Sequence, residues 1–130
     1  MVPQIAIVDD DQAVRDALQR MLKSHGFIAE VFASAEQFLV APGATRSSCL
    51  ILDIRMPGMT GLALHQYLLS QGCRIPTILI TACPTSAEEE RAVASGAAYL
   101  AKPFGEQELL GTLHGALARG EEAAPESLPG

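Results

Sequence analysis

The sequence lacks a basic excess, a long apolar run and a cysteine framework, and each absence removes a class of function. Fifteen acidic residues stand against nine basic ones, for a net charge of −6. Nucleic acid and anionic membrane surfaces both demand a basic face, so direct grip on either is not expected. No apolar run approaches the ~18 residues needed to cross a bilayer. The first residues, Met1-Val2-Pro3-Gln4, carry neither the basic start nor the apolar stretch of a secretory signal. A cytoplasmic location is the expectation. Three cysteines, Cys49, Cys73 and Cys83, are an odd set without CxxC spacing. They read as reduced, mostly buried thiols. The three histidines, His25, His65 and His114, show no ligand spacing and read as surface residues.

What is present suits one folded domain: 130 residues, 48% of them hydrophobic. Ile5-Ala6-Ile7-Val8 is an apolar run that stops at Asp9-Asp10-Asp11, which predicts a buried strand ending in a charged loop. Val14, Leu18, Met21 and Leu22 then recur at helical spacing, with Arg15, Gln19 and Lys23 facing elsewhere, up to Gly26. A second strand is predicted over 27–32. Ser34-Ala35-Glu36-Gln37 fits a capping box opening a short helix to about Val40. A third strand over 48–52 leads to Asp53, a helix covers 62–70, and a fourth strand over 77–80 ends at Thr81. Ser86-Ala87-Glu88-Glu89 fits another capping box, with Ser86 as the cap and Gly96 as the stop. A short fifth strand over 99–101 ends at Lys102-Pro103, and Leu109, Leu110, Leu113 and Leu117 mark a last helix. From residue 120 the composition changes to Glu, Ala, Pro and Gly, which reads as a disordered tail or the start of a linker. The expected division is a domain over 1–119 and a tail over 120–130.

Apolar strands alternating five times with amphipathic helices predict a parallel sheet covered on both faces. The fold class expected is α/β, doubly wound and flavodoxin-like, a (βα)5 chain with strand order 2-1-3-4-5. In such a sheet ligands bind beyond the carboxyl ends of the strands. The ends of strands one, three, four and five carry Asp9-Asp10, Asp53, Thr81 and Lys102, and in that order they converge. Asp53 is followed by Pro57, Gly58 and Gly61, which force a tight loop. Carboxylates gathered a few Å apart need a shared proton or a cation. All-oxygen ligation with an incomplete protein shell suits Mg²⁺, and Mn²⁺ as a substitute. With an ammonium and a hydroxyl added, the set becomes a phosphoryl site in which the central carboxylate is a nucleophile. Asp11 reads as the N-cap of the first helix instead of a ligand.

These words resemble the receiver domains of bacterial response regulators, the CheY-like family. The matching stretches are Ile7-Val8-Asp9-Asp10-Asp11 with Val14-Arg15, Asp53-Ile54-Arg55-Met56-Pro57-Gly58-Met59-Thr60-Gly61, Ile80-Thr81-Ala82, Gly96-Ala97 and Lys102-Pro103-Phe104. They cover about residues 4–118 and are most similar to receivers of FixJ-type transcription regulators. The resemblance implies that Asp53 accepts a phosphoryl group from a sensor histidine kinase, with Mg²⁺ held by Asp10, Asp53 and the backbone carbonyl of Arg55, and by Asp9 through water. It implies Thr81, Lys102 and Tyr99 as phosphoryl-binding and switch residues, and a cis Lys102-Pro103 peptide bond. Arg55 and Cys83, two residues past Asp53 and Thr81, are expected to tune how long the phosphate lasts. Redox sensing by Cys83 is disfavoured by its acidic surroundings. Output is expected through a bistable surface of the fourth helix, fifth strand and fifth helix, by homodimerisation on phosphorylation. The chain is then no enzyme beyond its own phosphorylation and dephosphorylation, and it lacks a helix-turn-helix to bind DNA itself. Two alternatives stand beside this reading. One is a stand-alone pseudo-receiver that only binds protein; the complete set of site residues argues against it. The other is a Mg²⁺-dependent aspartyl-phosphate phosphatase, but its DxDxT word would need Thr where Ala13 stands.

Overall fold

In a computed structural model, described for residues 2–42 and 44–123, five strands alternate with five helices along the chain. They are β1 (Gln4–Val8), α1 (Gln12–Ser24), β2 (Ile28–Phe32), α2 (Ala35–Val40), β3 (Cys49–Asp53), α3 (Gly61–Ser70), β4 (Thr77–Thr81), α4 (Ser86–Ala94), β5 (Ala98–Ala101) and α5 (Glu106–Ala123). A 3-10 turn, Ala44–Arg46, precedes β3. All pairings are parallel and the strand order is β2-β1-β3-β4-β5, as the alternation predicts.

The period of two along a strand divides the core. Ala6, Val8, Leu50, Leu52 and Leu79 face one side, where Phe38, Leu64, Leu68 and Ala92 of α2, α3 and α4 cover them. Ile5, Ile7, Ile51, Ile78 and Ile80 face the other, under Leu18 and Leu22 of α1 and Leu109 and Leu113 of α5. The central strands β3 and β4 are buried at every position, so they read as nearly continuous apolar runs, with polar residues only at their ends. Phe38 is fully enclosed and meets Phe32 edge to face. Emptying such a site by Phe→Ala costs about 3–5 kcal/mol.

Helix ends follow local chemistry, with two revisions. Asp11 caps α1 by accepting from Ala13 N, and Ser34 caps α2 by accepting from Gln37 N. Gly26 takes φ +87° just past α1, where Phe27 N returns to Leu22 O. The cap of α4, however, is Thr85 and not Ser86: the Thr85 hydroxyl accepts from Glu88 N at 3.1 Å. Thr85-x-x-Glu88 has the same spacing as Ser86-x-x-Glu89, and a tertiary bond decides between them, because Thr85 N donates to the Tyr99 hydroxyl. The second revision concerns the expected boundary after residue 119. Helix α5 runs on through Ala123, and Gly120 lies close against Pro76. Glu and Ala are good helix formers, so a shift in composition need not end a helix. The rest of the expected tail, 124–130, lies outside the described residues.

Candidate functional site

The register of the sheet sets where each functional side chain stands. Val8 pairs with Leu52, Asp53 with Ile80, and Thr81 with Ala101. The residues ending β1, β3, β4 and β5 therefore share one rim. Oxygens of Asp9, Asp10 and Asp53 all lie within 4.8 Å of one another. Lys102 Nζ stands 3.1 Å from Asp9 Oδ2 and 3.6 Å from Asp53 Oδ2. The Lys102-Pro103 peptide bond is cis.

Asp9 is fully buried and committed on every side. Its Oδ1 accepts from Asp11 N at 2.9 Å, its Oδ2 takes the lysine, and its backbone carbonyl accepts from Arg15 Nη1 at 2.7 Å. Asp10 is exposed, so its carboxylate faces the mouth of the pocket. Asp53 sits at the floor, only 5% exposed, with Oδ1 accepting from Arg55 N at 3.2 Å. Burial and then the charge of Asp9 raise the Asp53 carboxyl to about 6, against the pull of the Lys102 ammonium and the Arg55 amide. Burial disfavours the Lys102 ammonium, but bonding to Asp9 and the charges of Asp9 and Asp53 more than offset it, so its pKa is raised. Thr81 is buried and its Oγ1 accepts from Cys83 N at 3.1 Å, which leaves its hydroxyl proton free to donate.

Three residues named from the sequence stand further out. Tyr99 is partly buried against the α2–α4 side, its hydroxyl accepting from Thr85 N at 3.3 Å. Arg55 does not point back at Asp53. Its Nη2 lies 3.3 Å from Glu88 Oε2 of α4 and donates to Cys83 O at 3.4 Å. Cys83 is exposed and Cys73 half-buried, so only Cys49 fits the expectation of a buried thiol. There burial pushes the thiol up to about 12. His65 also departs from its surface reading. It is buried on α3, its Nε2 is 3.4 Å from Ser95 O, and burial lowers its pKa.

Sequence reasoning missed three supports of the site. Arg15 fixes the Asp9 carbonyl, Glu36 Oε2 accepts from Met59 N at 3.3 Å in the loop after Asp53, and Glu88 holds Arg55. Arg15 alone had a signal, since it lies one helical turn past the acidic triplet. The set as a whole is oxygen-rich, with one ammonium and one hydroxyl beside a carboxylate of raised pKa. Such a donor set fits a hard divalent cation and the oxygens of a phosphoryl group.

Comparison with known proteins agrees with this geometry. The family model for the response regulator receiver domain matches residues 5–114. The response regulator protein TodT of Pseudomonas putida is 41% identical over 114 residues, which are 87% of this chain and 50% of TodT. The transcriptional regulatory protein TdiR of Thauera aromatica is 36% identical over 121 residues, 92% of this chain and 53% of TdiR. The chain thus spans about half the length of these relatives. Among solved structures, the response regulator StyR superposes with a TM-score of 0.85 at 37% identity, covering 98% of this chain and 65% of StyR. FixJ-N superposes with a TM-score of 0.82 at 32% identity, covering 91% of this chain and 95% of that one.

Proposed function

Because the chain belongs to the response regulator receiver domains, we propose that Asp53 is its phosphoacceptor and that Asp9, Asp10, Thr81 and Lys102 serve it. Membership implies a cognate histidine kinase as donor. It makes the chain a receiver and not an enzyme that turns over a separate substrate, which removes the phosphatase reading. The observation that carries the proposal is the gathering of three carboxylates within 4.8 Å, with Lys102 at 3.6 Å from Asp53.

Asp53 attacks the phosphorus of a phosphohistidine through a carboxylate oxygen. The N–P bond breaks, its electron pair stays on the imidazole, and an aspartyl phosphate forms. Rigid placement at a strand end keeps the nucleophile aimed, and the cover around it keeps water few. Asp10, Asp53 and the Arg55 carbonyl would hold Mg²⁺, with Asp9 reached through water, and the ion when bound supplies positive charge for the carboxylates and phosphoryl oxygens. Lys102 turns from Asp9 and Asp53 toward a phosphoryl oxygen. Thr81 donates its hydroxyl proton to another, and Tyr99 follows as Thr81 moves. Arg55 and Cys83 line the mouth and set the lifetime of the product. Phosphorylation then repacks α4, β5 and α5 into a dimer surface. The longer relatives support a further step: this chain is the receiver part of a transcription regulator whose DNA-binding part lies outside it.

Phosphoramidate and Mg²⁺ test the acceptor. Alkali- and hydroxylamine-labile phosphate should appear on the wild type and map to Asp53 by borohydride trapping. It should vanish in Asp53→Asn and with chelator. Equal labelling of Asp53→Asn overturns the proposal.

A further inference from the structure

One side chain ties the acceptor loop to the helix expected to move. Arg55 is two residues past Asp53, yet its guanidinium is held by Glu88 in the first turn of α4 and by the Cys83 carbonyl in the loop after Thr81. The pair is unequal. The Arg55 side chain is 50% exposed, but that of Glu88 is only 13% exposed. The second Glu88 oxygen, Oε1, is buried without a hydrogen-bond partner. Both residues border a cavity of about 500 Å³ between the acceptor loop, α3 and α4, so neither is wedged in place. Arg91 borders the same cavity but forms no ion pair with Glu88 among the described residues. Helix α4 itself is weakly anchored, since Ala92 is its one buried residue.

We propose that Glu88 is a positioning residue that acts through Arg55: it draws the guanidinium off the acceptor, and its loss of Arg55 to the phosphoryl group releases the first turn of α4. This rests on Asp53 being the phosphoacceptor, as proposed above. The two states differ in what they offer Arg55. Glu88 presents a single charge, whereas an aspartyl phosphate adds about two charges and three strong acceptors at short reach. The planar guanidinium fork matches phosphate oxygens better than one carboxylate oxygen. Once Arg55 turns, Glu88 is a mostly buried carboxylate with neither oxygen paired. That state is unfavourable, and swinging the first turn of α4 toward water relieves it. The same competition sets the lifetime. In hydrolysis, water attacks phosphorus, the bond from phosphorus to the Asp53 oxygen breaks, and inorganic phosphate leaves a free carboxylate. Arg55 on the phosphoryl oxygens obstructs that attack, so Glu88 shortens the lifetime by competing for Arg55.

The test compares Glu88→Gln, Arg55→Ala, the double variant and the charge-swapped Arg55→Glu/Glu88→Arg in the full chain. Each is phosphorylated with phosphoramidate, and decay of the acyl phosphate is followed after the donor is removed. Amide exchange over residues 85–91 is read before and after phosphorylation. Glu88→Gln should decay roughly three- to fivefold more slowly than wild type, the scale of a partly exposed ion pair. The double variant should decay like Arg55→Ala, because Glu88 acts only through Arg55. Unphosphorylated Arg55→Ala should show the fast exchange of phosphorylated wild type in the first turn of α4, because it leaves the Glu88 carboxylate buried and unpaired. The swapped pair should restore protection of α4 yet decay as fast as Arg55→Ala. Uptake on Asp53 with equal decay in Glu88→Gln and wild type overturns this inference alone, as does a double variant slower than Arg55→Ala or a swapped pair that leaves α4 unprotected. A wild-type chain that takes up no phosphoryl group overturns the acceptor and this inference together.

Discussion

Asp53 is held in a place that suits a nucleophile and costs the fold stability. Its carboxyl is raised from 3.8 to about 6, first by burial and next by the charge of Asp9. A raised carboxyl means that the folded protein binds this proton more tightly than the unfolded chain does. Its favourable contribution is therefore complete below about 4 and is lost as pH rises toward about 6. Without a divalent cation, Asp53→Asn should be more stable than wild type at pH 7, by on the order of 2 kcal/mol. The gap should close as pH falls to about 4, and urea melts in chelator measure it at each pH. A wild type more stable than the variant at pH 7 would show that Lys102 already satisfies the carboxylate. Divalent cation should reverse the order. Binding only the folded state adds about 2.7 kcal/mol at a hundred times the dissociation constant. Wild type should gain this with Mg²⁺, and Asp53→Asn and Asp10→Asn should gain much less. Equal gains in all three would place the ion elsewhere.

At the scale of elements, the approach of α3 to β3 sets Asp53 in place. Gly61 opens α3 directly over the end of β3, and its amide donates to the Ile54 carbonyl at 3.2 Å. A Cβ there would lie 2.8 Å from the Asp53 carbonyl carbon and 3.2 Å from Leu52 Cβ, too near backbone that cannot yield. Gly61→Ala should therefore push α3 off the sheet. Overpacking of this kind costs about 1–3 kcal/mol, and phosphoryl uptake at Asp53 should fall even where the variant is fully folded. Normal uptake would mean that the loop absorbs the strain without moving the carboxylate. Elements of this kind were legible where local chemistry decides them. The β3 and β4 runs show plainly, because a strand buried on both faces leaves mostly apolar side chains, Cys49 to Leu52 and Ile78 to Ile80, before its terminal polar residue. Thr85 against Ser86 was not legible, since two capping boxes overlap and a hydroxyl from β5 chooses between them. His65 was legible in principle: Gly61, Leu64, His65 and Leu68 form one helical stripe, and all four are buried. The Arg55–Glu88 pair was not, because one partner comes from the loop after β3 and the other from α4, and many residues are able to pair with an arginine.

For the molecule as a whole, the β5 edge of the sheet is flanked by one loosely seated helix and one firmly seated helix. Strand β5 is an edge strand, flanked by α4 and α5. Helix α4 buries Ala92 alone and leaves Val93 63% exposed, whereas α5 buries Leu109, Leu110, Leu113 and Ala116. A loosely seated helix beside an edge strand is able to shift without emptying the core, which a helix such as α3, with Leu62, Leu64 and Leu68 buried, is not. Under the proposed phosphorylation of Asp53, the added charge would find its least costly outlet through Thr81, the Cys83 loop and α4. The surface reshaped in this way carries Val93 and the edge of β5, which suits pairing with a second copy. With beryllofluoride and Mg²⁺, light scattering should show the mass of the full chain doubling. A stable dimer of this kind buries about 800 Å² on each partner, so a single charge at its centre should prevent it. Val93→Glu should remain monomeric while taking up phosphoryl groups as wild type does, since Val93 does not belong to the site. A wild type that stays monomeric removes dimerisation as the output. A Val93→Glu variant that still dimerises moves the interface off α4.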